Sequence, residues 1–132
     1  MSRNVKDAKF IATKALPAAA ASNQTTAFDL GTRSGFLPEE IECQIVVPAT
    51  PSLVDAKTIT LTIKDSADNN TFAAIPGVGA VVITGADGVG AAATTVTLRL
   101  PSTTRRYLYL DQAVLTAGGD NTAITTTFQL LF

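Results

Sequence analysis

The chain has no histidine and no tryptophan, and Cys43 is the only cysteine among 132 residues. Each gap closes a class of chemistry. Without histidine, the commonest general base, the commonest zinc ligand and the usual partner of a nucleophilic serine are missing. A lone thiol excludes an intrachain disulfide and a thiol pair for a metal. Charge is scarce as well: 10 Lys and Arg against 11 Asp and Glu leave a formal net charge of −1. The cations are scattered, so the basic stripe expected of a nucleic-acid binder is not seen. No apolar run approaches the ~20 residues of a membrane-spanning helix. The opening MSRNVKDAKF is polar and charged where a secretory leader would be apolar. The expectation is a protein made and kept in a reducing cytoplasm, or assembled into something there, with no nucleic acid, membrane or cofactor as partner.

What the sequence does have is alternation. In EIECQIVV, Ile41, Cys43, Ile45 and Val47 fall on one face and Glu40, Glu42 and Gln44 on the other. In TITLTIK, Ile59, Leu61 and Ile63 alternate with threonines and Lys64, and in TVTLRLP, Val96, Leu98 and Leu100 alternate with Thr95, Thr97 and Arg99. Period two with one apolar side describes half-buried antiparallel strands, and threonine suits the wet side of a pleat. DSADNN, IPGVG and GADGVG supply turns between the strands, and AGGDN (residues 117–121) predicts a hairpin between YLYLDQAVL and AITTTFQLLF. About eight strands with no helical crossover predict an all-β fold, a jelly roll or antiparallel β-sandwich. Composition shifts near Thr25. Residues 1–24, with four consecutive alanines, read as an extended N-terminal arm, and residues 25–132 as the sandwich domain. The arm is either a frayed terminus or a segment that docks on a neighbouring subunit.

Few residues offer chemistry. GADGVG lacks the lysine of a P-loop and is flanked by strands, so it reads as a loop. DSADNN clusters oxygens that suit calcium, but a turn uses the same residues, and the alternate acids of an EF-hand are absent. Two glycosylation sequons, at Asn23 and Asn69, carry no meaning without a leader. Glu39, Glu40 and Glu42 form a carboxylate group on a face that reads as solvated. RRYLYLD is richer: alternation places Arg105, Tyr107, Tyr109 and Asp111 on one side and Arg106, Leu108, Leu110 and Gln112 on the other. Tyr and Arg together favour a protein–protein interface. The chain ends with Phe128, Leu130 and Phe132 on one face and Gln129 and Leu131 on the other; burial in the core covers one face, and an assembly partner would cover the remainder.

Taken in order, KDAKFIATKALPAAAASNQTTAFDLG, the threonine-rich middle and the Tyr-Leu-X-Leu strand resemble the small capsid cement (decoration) proteins of tailed bacteriophages. The nearest type is the Bordetella podophage cement protein family. The matching residues are Asp7, Ala8 and Lys9, the alanine run, Asp29-Leu30-Gly31 and Tyr107 to Leu110. TRSGFLPE, residues 32–39, departs from the family's pattern. The resemblance implies a jelly-roll virion protein on the outer face of the capsid, synthesised in the bacterial host cytoplasm, with no catalysis and no cofactor. Its implied partners are the major capsid protein and further copies of itself, as a homodimer or homotrimer. On that reading Phe10, Ile11 and Leu16 are anchors on the arm. Phe28, Arg105, Tyr107, Tyr109 and Phe132 complete the expected subunit or capsid contacts. A carbohydrate-binding β-sandwich displayed on the virion for host attachment is the alternative, although such modules usually show more exposed aromatics.

Overall fold

A computed structural model describes residues 6–32 and 41–131. The alternating segments form antiparallel strands: β1 (Lys6–Ala15), β2 (Ser22–Gln24), β3 (Phe28–Asp29), β4 (Glu42–Val47), β5 (Thr58–Ser66), β6 (Ala73–Ala74), β7 (Val81–Thr84), β8 (Thr94–Arg99), β9 (Tyr107–Val114) and β10 (Thr125–Leu131). Among the described residues there is no α-helix, only a 3-10 turn over Leu30–Thr32. The strands make two sheets. One has the order β1-β10-β4-β8. The other runs β2-β9-β5-β6, with β3 also on β9 and β7 also on β5. The expected all-β sandwich is thus the observed architecture.

Burial follows the period-two pattern. Cys43, Ile45 and Val47 of β4, Ile59, Leu61 and Ile63 of β5, and Leu108, Leu110 and Val114 of β9 all enter the core. Burial of Cys43 pushes its thiol above the ordinary range, since a thiolate has no water there. Three phenylalanines join the layers. Phe10 of β1 meets Phe28 of β3 edge-on at 5.8 Å, and Phe28 stacks on Phe128 of β10 at 5.3 Å. Such pairs add ~0.5–1.5 kcal/mol to their burial.

Two expectations are corrected. The expected arm is residues 1–24, and its described part, residues 6–24, is not separate from the sandwich: β1 pairs with β10 from Lys6↔Leu131 to Ala15↔Thr125, and β2 pairs with β9. Thr25, at the expected boundary, is buried, and its Oγ1 accepts a hydrogen bond from the Leu110 N–H at 3.0 Å. The segment folds in because Phe10 and Leu16 carry enough apolar surface to complete the core. AGGDN, in turn, makes no hairpin. Its flanking strands, β9 and β10, lie in different sheets, and each already has neighbours on both sides. The connection crosses between layers and is tied down there: Gly118 N–H donates to Leu115 O, its carbonyl accepts from Val54 N–H, and buried Asn121 donates through Nδ2 to Gly118 O.

GADGVG is a built turn. Gly88 N–H donates to Asp55 Oδ1 at 2.9 Å, and Ala86 N–H to Gly90 O at 3.0 Å. Gly90 is required: its φ is +73°, and a Cβ there would lie 1.9 Å from Thr50 O.

Candidate functional site

β9 is flanked on both sides, so its outward residues Tyr107, Tyr109, Asp111 and Ala113 sit in the middle of a sheet face rather than at a rim. Register fixes their neighbours: Lys64 lies opposite Tyr109, Thr62 and Gln24 flank Asp111, and Asp29 lies opposite Tyr107. The Asp111 carboxylate accepts from Gln24 Nε2 at 2.7 Å and faces Lys64 Nζ at 3.7 Å. Phe72, just past the turn after β5, stacks on Tyr109 with centroids 4.0 Å apart and planes 12° from parallel. Partial burial, then the Asp111 charge, raises the Tyr109 phenol above its ordinary value. This face therefore carries an aromatic pair and a fixed ion pair among threonines.

One end of the face is closed by a clamp. Arg106 grips Asp29 with both arms, Nε to Oδ1 at 2.7 Å and Nη2 to Oδ2 at 2.9 Å, while its guanidinium lies 5.0 Å from the Tyr107 ring centroid. Asp29 Oδ1 also accepts from Gly31 N–H at 3.0 Å, and Leu30 N–H donates to Arg106 O at 2.8 Å. The Arg106 hydrogen bond is the main reason the Asp29 carboxyl ionises below its ordinary value. A Cβ on Gly31 would come within 2.6 Å of Arg106 Nε, so glycine leaves room for the clamp.

Arg105 does something different from its neighbour. Its main-chain N–H donates to Asp65 Oδ2 at 2.9 Å, its Nε to Oδ1 at 3.0 Å, and its Nη2 to both Oδ1 and the Asp65 carbonyl at 2.8 Å. Asp65 is 3% exposed and continues the inward series of Ile59, Leu61 and Ile63. A shallow depression of about 370 Å³ beside it is lined by Ala73, Ala74, Pro76 and Thr103. The expected side for the two arginines is corrected. Arg106 engages the outward residues Asp29 and Tyr107, and Arg105 turns to the inward Asp65, because regular β9 begins only at Tyr107.

The other expected contact residues divide. Tyr107 and Tyr109 are outward, and Ile11 is exposed on the outer side of the four-stranded sheet, opposite Gln129. Phe10, Leu16 and Phe28 are not available for contact, being buried in the core. Phe132, with Glu39 and Glu40, lies outside the described residues. Glu42 pairs with Arg99 at 3.1 Å. Sequence reading missed Phe72, Gln24 and Lys64 as members of the tyrosine face. Only register across three strands assembles them.

The oxygens of DSADNN are spent on the turn. Asp68 Oδ1 accepts from Asn70 N–H, Thr71 N–H and the Ser66 hydroxyl, and these bonds, Thr71 first, hold its pKa down to about 2. Among the described residues no group of three or more His, Cys, Asp or Glu gathers closely enough to hold a metal.

No family model and no curated protein matches the sequence. Among solved structures, an arabinose-bound α-L-arabinofuranosidase is similar over 88% of this chain, with a TM-score of 0.46 and 12% identity. The chain spans 18% of that enzyme's length.

Proposed function

We propose that the chain is a structural virion protein. It binds the outer surface of a phage head as a homo-oligomer, bridges neighbouring major capsid proteins and performs no catalysis. One observation carries this reading. Two segments on which the sequence resemblance rests, Asp29-Leu30-Gly31 and Tyr107 to Leu110, are partners in space: Asp29 pairs with Tyr107, Phe28 with Leu108, and Arg106 binds Asp29. Such short motifs are compositionally plain when separate, but here each needs the other. Their union presents Tyr107 and Tyr109 outward, which supports a contact role for that face.

Stabilisation follows from mass action. A protein that binds only the expanded, intact lattice favours that state by RT ln(1 + [L]/Kd) at each site, repeated over the shell. Oligomers that engage several sites at once add avidity.

The test is co-sedimentation of the purified full chain with compact precursor heads and with expanded heads of its source phage. Saturable binding to expanded heads, weakened by Tyr107→Ala with Tyr109→Ala, is expected. Binding to neither form sinks the reading. Titration with host polysaccharide on the same tyrosine variants then decides whether the face belongs to a carbohydrate-binding module.

A further inference from the structure

Among the described residues, the sandwich protects all but one of its edges. In the six-stranded sheet, the β2/β3 side is broken into pieces of three and two residues, and the β6/β7 side into pieces of two and four. In the four-stranded sheet, β1 has a register irregularity between Lys6 and Ile11 and carries lysines. Short, irregular or lysine-bearing edges resist pairing with another chain. β8 has none of these defences. Thr94–Arg99 reads TTVTLR, pairs with β4 in unbroken register over six residues, and contains no proline, glycine or lysine. Among the described residues, no strand covers its other side.

Register shows which groups face that edge. Leu100 N–H donates to Ile41 O, so the narrow, hydrogen-bonded pairs with β4 continue at Leu98, Val96 and Thr94. The N–H and C=O groups of Thr95 and Thr97 therefore point away from β4. Val96 and Leu98 face the core yet stay half-buried, whereas their β4 partners Ile45 and Cys43 are fully buried.

We infer that β8 is a self-pairing edge, whose partner is β8 of a second copy of this chain. The two run antiparallel about a two-fold axis at Val96, joining two four-stranded sheets into one of eight. With Thr95 opposite the second copy's Thr97, the main-chain groups of those residues exchange four hydrogen bonds, a count that follows from antiparallel geometry. Side chains agree on both faces. Val96 meets Val96 and Thr94 meets Leu98 on the inner side, completing the half-buried rim. On the outer side threonine meets threonine, and such cross-strand pairs are favourable. Arg99 lies opposite Ala93, so like charges do not oppose one another, and its guanidinium is engaged by Glu42 of its own sheet. The inference is independent of the capsid reading, because pairing is a property of the isolated chain.

Two measurements test it. Sedimentation equilibrium of the full chain is expected to show a reversible dimer. Thr97→Pro removes an edge N–H without touching the β4 ladder and should weaken dimerisation at least about a hundredfold, with the circular dichroism unchanged. If that variant does not fold, Thr95→Lys with Thr97→Lys sets cations against each other across the axis and serves instead. Val96→Cys reports the register. At a non-hydrogen-bonded pair the Cα atoms lie about 4.5 Å apart, within disulfide reach, so mild oxidation should give a covalent dimer. Leu98→Cys should not. Native Cys43 is buried and does not compete. A chain still monomeric at about 1 mM, where even a weak edge dimer (millimolar Kd) is populated, with no Val96→Cys crosslink, overturns the inference. So does a dimer indifferent to both edge variants.

Discussion

The two sheets are held together in different ways. In the four-stranded sheet, every neighbouring pair runs in register for at least five residue pairs, so backbone ladders satisfy the chain almost unaided. In the six-stranded sheet, only β5 with β9 is long, and the flanking pairs cover two to four residues each. Side chains fill those gaps. Thr25 takes the Leu110 N–H, Arg106 ties the β3 corner, and Arg105 ties the end of β5. Gln112, buried on β9, donates to Oδ1 of its β2 neighbour Asn23 at 2.9 Å and reaches across the sandwich toward the end of β1. Either device satisfies buried backbone groups. Single substitutions should therefore damage the clamped sheet, whereas the laddered sheet should fail only when a whole strand is lost.

Strand loss gives the largest expected effect. Deleting residues 1–24 removes β1 and β2, takes Phe10 and Leu16 from the core and bares the edge of β10. The truncated chain should show no cooperative thermal transition by circular dichroism and should aggregate on size exclusion. A soluble product with a sharp transition would mean that β1 contributes little. In the clamped sheet, Asp65→Asn should come next, at about 2 kcal/mol by urea unfolding, because it weakens charge-assisted bonds made by a buried carboxylate. Arg105 is 42% exposed, which keeps the cost at that end of the range. Asp29→Asn breaks a more exposed pair and should cost clearly less. Equal losses at the two sites would remove the distinction between them.

The sequence made the strands themselves readable, and the reason is physical. β4, β5 and β9 each bury one side only, so apolar and polar residues alternate along them. Where that condition lapses, so does legibility. Residues 6–24 looked like an arm because their apolar content is spread thinly through alanines. Phe10 and Leu16 declare themselves as core only once Phe28 and Phe128 are placed beside them. AGGDN carries hairpin residues, but local turn chemistry cannot reveal that both flanking strands already have two neighbours. The tyrosine side of β9 was legible from period two, while Phe72 was not, since its place depends on how the Asp68 turn returns the chain against Tyr109.

The Phe72 stack offers a smaller test of the clamped sheet. Phe72→Ala should lower stability by about 0.5–1.5 kcal/mol, the range for an aromatic pair, on top of whatever burial is lost at this half-buried site. Thermal melting beside Tyr109→Phe, which keeps the ring, separates stacking from the hydroxyl. Tyr109→Phe should melt close to the parent chain. A Phe72→Ala protein with unchanged stability would reduce the pair to a surface feature available wholly for binding.

Acid provides the finest separation of ladder from clamp, because ladders do not titrate and carboxylates do. Asp68 ionises at about 2 in the folded chain against an ordinary 3.8, so folding favours its charged form. A lowered folded pKa contributes stability above the unfolded value, and the contribution fades as pH falls from 3.8 toward 2. Asp29 and Asp120 are lowered as well and act in the same direction. Asp68→Asn keeps an oxygen that accepts from Asn70 and Thr71 but carries no charge. The parent chain should melt above this variant at pH 5, and the gap should close as pH drops through that window. All these carboxylates are solvent-facing, so the gap should be a few degrees at most and should shrink in salt. A gap that stays constant from pH 5 to 2 would show that the turn is held by hydrogen-bond geometry alone, and the six-stranded sheet would then owe nothing to charge at its Asp68 corner.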